Sequence, residues 1–121
     1  MEVEIFTIEN CPIRNILDRF GDKWSILVIM VLKQNGVMRF NELNKAIPDI
    51  SQKMLTVTLR TLEADGLLQR TVYAQVPPKV EYQITEMGLS LMNHISGLID
   101  WAVEHTQTIN QSRKEFTKKV V

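Results

Sequence analysis

The chain has 121 residues, of which 45% are hydrophobic and 23% charged, which is typical of one compact domain. Its longest apolar run, Ile26–Leu32, is far shorter than the roughly 20 residues of a membrane span, and the acidic start with Glu2 and Glu4 differs from a secretory signal. We therefore expect a cytoplasmic protein with no membrane contact. One cysteine excludes an internal disulfide, and 14 basic against 14 acidic residues exclude a strongly basic, non-specific nucleic-acid binder.

Helical periodicity and helix-end residues predict four helices in the first half of the chain. These helices are expected over 12–20, 23–35, 40–47 and 52–64. The first begins at Pro12, which is tolerated in a first turn, and either Asn10 or Cys11 is its expected cap. Asp22 is the expected cap of the second helix and Ser51 that of the fourth.

The periodicity changes from 3.6 to 2 residues after Gly66, which predicts a β-hairpin. The connection 74–78 contains two prolines with fixed φ, so we expect its tip to project as a semi-rigid finger. Thr85 is the expected cap of a long final helix. We predict a single domain over 1–121, with its core over 11–105 and a basic, solvated tail over 106–121.

This element order predicts a winged helix-turn-helix fold, mainly α with a small β-hairpin wing. On the fourth helix, a rotation of 100° per residue from Leu55 places Leu59 and Leu62 inward and polar side chains outward. The major groove admits an α-helix whose side chains contact base edges and phosphates. We predict base-edge contacts from Gln52, Thr56 and Arg60, phosphate contacts from Lys53, Arg70 and Lys79, and an anchoring phosphate contact at Ser51.

Other functions fit the same residues. Any surface helix has a polar outer face, and basic residues often protect a hairpin edge, so a protein-interaction module without DNA binding is the main alternative. A thiol enzyme built on Cys11 ranks lowest, because neither histidine is near it in sequence and no oxyanion feature is visible. We predict no catalytic residue, no metal site and no cofactor.

Four short motifs carry a resemblance to a known family. They are Cys11-Pro12, Gly21-Asp22-Lys23-Trp24, Leu62-Glu63-x-x-Gly66-Leu67, and Pro77-Pro78-x-x-Glu81-Tyr82 followed by Thr85 and Gly88. Through them, the stretch from about Cys11 to Trp101 resembles the HxlR family of bacterial winged-helix transcription regulators, relatives of the MarR group. One position departs from the pattern, since many members have glycine just before Ile-Ser where this chain has Asp49.

The resemblance implies a dimeric DNA-binding repressor or activator, not an enzyme. In such a protein the helix from Ser51 is the recognition element, the Arg70 to Lys79 finger is the wing, and the terminal helices form the dimer interface. The last helix has more apolar surface than one small core needs, which also favours a homodimer. Candidate interface residues are Leu91, Ile95, Leu98, Ile99, Trp101 and Ala102. A homodimer would place two recognition helices roughly 34 Å apart on a palindromic site.

Cys11 is a candidate sensing residue. The amide dipoles at a helix N-terminus favour a thiolate, and some family members use the cysteine of this Cys-Pro pair to sense quinones, aldehydes or oxidants. The resemblance therefore implies a small electrophile or oxidant as effector. The alternative is a small buried apolar contact. Because the chain has one cysteine, its oxidation would form an intersubunit disulfide, a mixed disulfide or an adduct.

Overall fold

The computed structural model describes residue 9 and residues 11–120. Its elements in chain order are α1 (Pro12–Phe20), α2 (Ser25–Asn35), α3 (Phe40–Ala46), α4 (Gln52–Ala64), β1 (Leu68–Tyr73), β2 (Lys79–Ile84) and α5 (Glu86–Val120). The predicted order and the mainly helical fold with a two-stranded hairpin are confirmed. The chain divides into two compact units, one ending at Leu89 and the other beginning at Ser90.

Polar side chains begin the helices at the predicted places, with two differences. Ser51 caps α4, because its Oγ accepts the Met54 backbone N–H at 3.0 Å. Cys11 holds the N-cap position of α1 but makes no capping hydrogen bond, and the alternative cap, Asn10, lies outside the described residues. Asp22 acts three residues before α2, where its Oδ1 accepts the backbone N–H groups of Trp24 and Ser25, each at 2.9 Å.

The core of the first unit is built by apolar side chains of α2, α3, α4 and β1. The most deeply buried are Val28, Ile29, Leu32, Leu43, Leu55, Leu59, Leu62 and Leu68. The sequence predicted a wide apolar stripe on α2, and that helix does enter the core. At its edge Leu27 stays 36% exposed whereas Ile29 is 1% exposed. Burying each such side chain contributes about 1.5–3 kcal/mol to the stability of the fold. The buried leucines of α4 therefore hold that helix against the core.

The hairpin pairs β1 with β2 antiparallel, from Leu68 opposite Ile84 to Tyr73 opposite Lys79. Met38, in the α2–α3 connection, exchanges backbone hydrogen bonds with Tyr82 at 3.0 and 2.8 Å, which ties the hairpin to the helices. The Val76–Pro77 bond at the tip is cis, and Val76 is 99% exposed.

Two glycines around the hairpin are required by geometry. Gly66 ends the α4–β1 turn with a φ of +78°, a conformation that favours glycine. Gly88, in the first turn of α5, leaves no room for a side chain, because an added Cβ would lie 2.6 Å from Ile84 Cγ1 and closer still to the Leu67 carbonyl oxygen. Thr85 begins this helix as predicted, accepting the Gly88 N–H at 3.1 Å.

The second unit consists of the remainder of α5. Residues 106–120, expected as a solvated basic tail, are exposed as far as 119 and continue the helix. Large apolar side chains of this unit are exposed, among them Trp101 at 52%, Val103 at 77% and Phe116 at 67%. None of the helices within the described part of the chain has the length and apolar character of a membrane span.

Candidate nucleic-acid interface

Helix α4 has the two faces that the sequence predicted. Its buried side chains are Leu55, Thr58, Leu59 and Leu62. Gln52, Lys53, Thr56 and Arg60 are all exposed. The inner face holds the helix in the core, so the outer face offers amide, ammonium, hydroxyl and guanidinium groups at fixed positions.

Hydrogen bonds within α4 and at its N-cap limit the donors and acceptors that Thr56 and Ser51 can offer to a partner. The Thr56 hydroxyl donates to the Gln52 carbonyl oxygen at 2.9 Å, so its proton is used and its methyl group remains for apolar contact. Ser51 Oγ already accepts the Met54 N–H. An anion at this helix end would therefore bind the remaining backbone amides of the first turn and the Ser51 hydroxyl proton.

The turn before α4 contains Asp49, the position at which the chain departs from the family pattern. Its carboxylate lies 3.8 Å from Lys23 Nζ, and that ammonium group also lies 4.6 Å from the centroid of the Trp24 ring. The Lys23 and Asp49 side chains are 68% and 67% exposed, so the pair adds little stability. Lys23 does offset the negative charge that Asp49 places next to α4.

The hairpin holds its two predicted cations in different surroundings. Arg70 is opposite Tyr82, towards the base of the hairpin, and Lys79 is opposite Tyr73, at the tip end. Lys79 Nζ lies 3.6 Å from a Glu81 carboxylate oxygen and 5.2 Å from the centroid of the Tyr73 ring. The charge of Lys79 is therefore partly balanced within the wing.

Glu81 also acts on Tyr73. A hydrogen bond with the Glu81 carboxylate, its negative charge and slight burial raise the pKa of Tyr73 above the ordinary tyrosine value. Sequence reasoning missed Glu81 as part of this site. Its signal was the two-residue spacing from Lys79, which puts both side chains on one face of β2.

A small cleft joins α4 to the hairpin. Its volume is about 90 Å³, and it is lined by Phe40, Thr56, Leu59, Arg60, Glu63, Arg70 and Tyr82. The structure thus brings Arg60 and Arg70 together, which the sequence did not indicate. Glu63 lines the same cleft and was also missed.

The candidate sensing residue and the candidate interface residues lie on other parts of the chain. Cys11 is half-buried at the start of α1. On α5, Leu98 and Trp101 are 59% and 52% exposed, whereas Ile95 is only 8% exposed and offers little surface. Of the other three candidates, Ala102 is exposed, and Leu91 and Ile99 are half-buried.

Trp101 stacks on His105, with ring centroids 4.3 Å apart and planes at 14°. Among the residues that the structure describes, no three potential metal-ligating side chains lie together as a metal site would need.

Comparison with known proteins identifies the family behind this fold. Residues 19–110 match the model of the HxlR-like helix-turn-helix family. The chain belongs to this family. It is therefore a helix-turn-helix transcriptional regulator, and the resemblance drawn from the motifs is confirmed.

Two relatives of this HxlR-like chain cover most of its length. It is 45% identical over 103 residues to the uncharacterized HTH-type transcriptional regulator YdeP of Bacillus subtilis, covering 85% of this chain and 80% of that one. It is 46% identical over 91 residues to an uncharacterized HTH-type transcriptional regulator of Methanothermobacter thermautotrophicus, covering 75% and 69%. The family match over residues 19–110 covers α2, α3, α4 and the hairpin.

Solved structures of two regulators are also similar to this HxlR-like regulator. The reduced form of the redox regulator HypR has a TM-score of 0.74 and 41% identity, covering 84% of this chain and 99% of that one. The reduced form of the transcriptional regulator YodB from Bacillus subtilis has a TM-score of 0.68 and 38% identity, covering 76% and 90%.

Proposed function

We propose that this HxlR-like regulator is a cytoplasmic homodimer that binds a specific palindromic site in duplex DNA, with α4 in the major groove and the β1–β2 hairpin as the wing. The observation that carries this proposal is the division of α4 into a buried apolar face and an exposed polar face. A helix fixed in this way can enter a groove without rearranging the core. The two copies of α4 would lie roughly 34 Å apart, one helical turn of DNA.

The exposed side chains of α4 and the hairpin have separate tasks in this complex. Gln52 suits a bidentate contact with an adenine edge, and the Thr56 methyl group suits contact with a thymine methyl, each contact discriminating by about 1–3 kcal/mol. Lys53 and Arg70 are exposed cations that suit phosphate contacts. Ser51 and the first-turn amides of α4 suit a further phosphate at the helix N-terminus.

The dimer is supported by the apolar side chains that α5 leaves exposed. Leu98 and Trp101 lie three residues apart and therefore on one face of the helix. Monomeric proteins rarely expose large contiguous apolar patches. A second copy of the chain would cover this face and would supply the two-fold symmetry that a palindromic site requires.

The first experiment measures affinity of the purified protein for the duplex upstream of its own gene and for unrelated duplex at two salt concentrations. Specific, salt-sensitive binding is expected. Gln52→Ala should reduce the preference for the specific duplex, and Lys53→Ala should weaken binding to both duplexes and flatten the salt dependence. Lys33→Ala is the matched control, because Lys33 is an exposed lysine on α2. No measurable DNA binding would favour the protein-interaction module instead.

A thiol response through Cys11 is the second part of the proposal. It is supported by the position of Cys11 at the N-cap of α1, by its partial exposure, and by the similarity to the redox regulator HypR. In the disulfide form, two Cys11 thiols of a dimer lose two protons and two electrons to an oxidant such as diamide. In the adduct form, the thiolate adds to an electrophile such as a quinone.

The test compares DNA affinity before and after treatment with diamide or an alkylating reagent. A change of affinity in the wild type that Cys11→Ser abolishes is the expected result. Electrophoresis without reductant distinguishes an intersubunit disulfide from an adduct. Unchanged affinity of fully modified protein would exclude a sensing role and leave Cys11 as a structural contact.

A further inference from the structure

The cleft between α4 and the hairpin brings together two arginines for which the sequence predicted different tasks. Arg60 comes from the second half of α4, and Arg70 is the third residue of β1. Both are exposed, and both line the same cleft of about 90 Å³. If Arg60 contacted a base edge and Arg70 a phosphate, their guanidinium groups would have to point towards different parts of the DNA.

We propose that Arg60 and Arg70 together bind one phosphate of the DNA backbone in this cleft, so that Arg60 positions the protein on the duplex and does not read a base. This inference rests on the proposed DNA binding and assigns a phosphate subsite within that interface. Arg guanidinium groups form paired hydrogen bonds with phosphate oxygens, and two of them can hold the two unesterified oxygens of one phosphodiester.

The size of the cleft favours a single phosphate over a small-molecule effector. Pockets that bind small molecules usually measure about 300–1,000 Å³, several times the 90 Å³ of this cleft. A phosphate group needs only a shallow recess with donors at its rim. The apolar and aromatic part of the lining, from Phe40, Leu59 and Tyr82, offers surface against which the aliphatic parts of the arginine side chains can pack.

The place of Arg60 along α4 supports the same assignment. In helix-turn-helix proteins the N-terminal residues of the recognition helix contact the base edges. Arg60 is the ninth residue of α4, about 12 Å along the axis from Gln52 at 1.5 Å per residue. Arg60 lines a cleft with Arg70 of the hairpin, the element that the proposed function places against the DNA backbone as the wing. Both positions favour a backbone contact.

Glu63 gives the proposal a second, independent test. Glu63 lines the same cleft as the two arginines, and its negative charge would repel a bound phosphate. Glu63→Gln removes this charge and keeps the side-chain size, so it should strengthen DNA binding. That gain should vanish when Arg60 and Arg70 are both replaced by Ala, because no phosphate would then be held in the cleft.

The experiment maps individual phosphates. A duplex selected from a random library by the full-length protein is synthesised with one neutral methylphosphonate at a time, and affinities are measured for each position. We expect one position per half-site at which the neutral linkage weakens wild-type binding by about tenfold. Arg60→Ala and Arg70→Ala should each make binding insensitive to that same position. Lys53→Ala, the matched control, should keep the sensitivity there.

The outcomes separate this inference from the proposed function. If the library yields no bound duplex, the proposed DNA binding fails and the inference falls with it. If Arg60→Ala and Arg70→Ala affect different phosphates, or if Arg60→Ala changes base preference, DNA binding stands and the shared subsite is wrong. If inorganic phosphate binds in the cleft and leaves DNA affinity the same as chloride of equal ionic strength does, the cleft holds free phosphate and the assignment to DNA is wrong.

Discussion

Arg19 and Asp65 form an ion pair that joins the last turn of α1 to the C-terminal end of α4. Arg19 Nη1 donates to Asp65 Oδ1 at 2.7 Å across 46 positions of sequence. The Asp65 side chain is 14% exposed, and its Oδ2 is buried with no hydrogen-bond partner among the residues that the structure describes. Phe20 is the buried residue of α1 among the residues described, and the ion pair adds a polar contact between α1 and the C-terminal end of α4.

Arg19→Ala should lower the free energy of unfolding. The change leaves the largely buried Asp65 carboxylate without its partner, and we expect a loss of about 1–2 kcal/mol, between the values for exposed and buried pairs. Urea denaturation at one fixed protein concentration measures it, since a dimer's stability depends on concentration.

The double variant Arg19→Ala/Asp65→Ala identifies the cause of that loss. Removing Asp65 as well eliminates the uncompensated charge, so the double variant should be more stable than the sum of the two single losses predicts. An additive result would mean that the ion pair contributes nothing and that Arg19 acts through its aliphatic part. Lys33→Ala, an exposed change on α2, should stay within about 0.5 kcal/mol of the wild type.

The lowered pKa of Asp22 predicts that the free energy of unfolding depends on pH. Burial alone would raise the pKa of Asp22, but hydrogen bonds from the Ser25 hydroxyl and from the Ser25 and Trp24 amides outweigh it and hold the pKa below its ordinary value. An unfolded Asp titrates near about 3.9. The ionised Asp22 therefore stabilises the fold fully above about pH 5, and this contribution is lost as the pH falls through 4 and below.

Asp22→Asn tests this pH dependence. Its stability deficit against the wild type, measured by urea denaturation, should be largest near neutral pH and should shrink in acid. Ser25→Ala removes the hydroxyl that donates to Asp22 and should weaken the same dependence. Equal deficits at neutral and acid pH would contradict the role of the ionised carboxylate.

The order of the elements could be predicted because its signals are local. Pro12, Ser51 and Gly66 each act through their own backbone geometry or a bond within the next few residues. The inner face of α4 could be predicted from the sequence for the same reason, because helical rotation alone separates Leu55 from the polar side chains.

The contacts that build the candidate site were harder to predict, because they join distant parts of the chain. The pairing of Met38 with Tyr82, the ion pair of Arg19 and the meeting of Arg60 with Arg70 depend on how the elements pack. No periodicity within one element encodes them.

Gly88→Ala should destabilise the protein. The new methyl group would collide with the Ile84 side chain and with the Leu67 carbonyl oxygen, and the Leu67 backbone cannot move away without disturbing the start of the hairpin. We expect a loss of about 1–3 kcal/mol, as for other overpacked sites, measured by urea denaturation.

Gly97→Ala is the matched control for Gly88→Ala. Gly97 lies in the same helix, and an added Cβ there meets nothing within 4 Å. The exchange should raise stability by about 0.5–1 kcal/mol, because alanine favours the helix. If both variants lose stability equally, helix α5 does not tolerate alanine for some other reason, and the steric account of Gly88 is wrong.

The ion pair between Lys79 and Glu81 predicts that the two cations of the hairpin, Lys79 and Arg70, contribute unequally to DNA binding. Lys79 is partly balanced by Glu81, whereas Arg70 lies in the cleft. Arg70→Ala should reduce the slope of log affinity against log salt by about 0.9 for each phosphate that the variant no longer neutralises. Lys79→Ala should reduce it by less, and an equal or larger effect of Lys79→Ala would show that DNA displaces Glu81 from Lys79.

Glu81 also predicts a change in the titration of Tyr73. Its carboxylate raises the pKa of Tyr73 through a hydrogen bond and through its charge. Glu81→Gln removes the charge, so the pKa of Tyr73 should fall towards the ordinary value of about 10. Tyrosinate absorbance followed through an alkaline titration measures it, with circular dichroism confirming that the protein stays folded.

Tyr73→Phe isolates the signal, because Tyr82 is the second tyrosine of the chain and is retained in that variant. The difference between wild type and Tyr73→Phe gives the Tyr73 curve, and the same difference in the Glu81→Gln background gives the shifted one. A Tyr73 midpoint that does not move would mean that Glu81 turns away from the ring in solution.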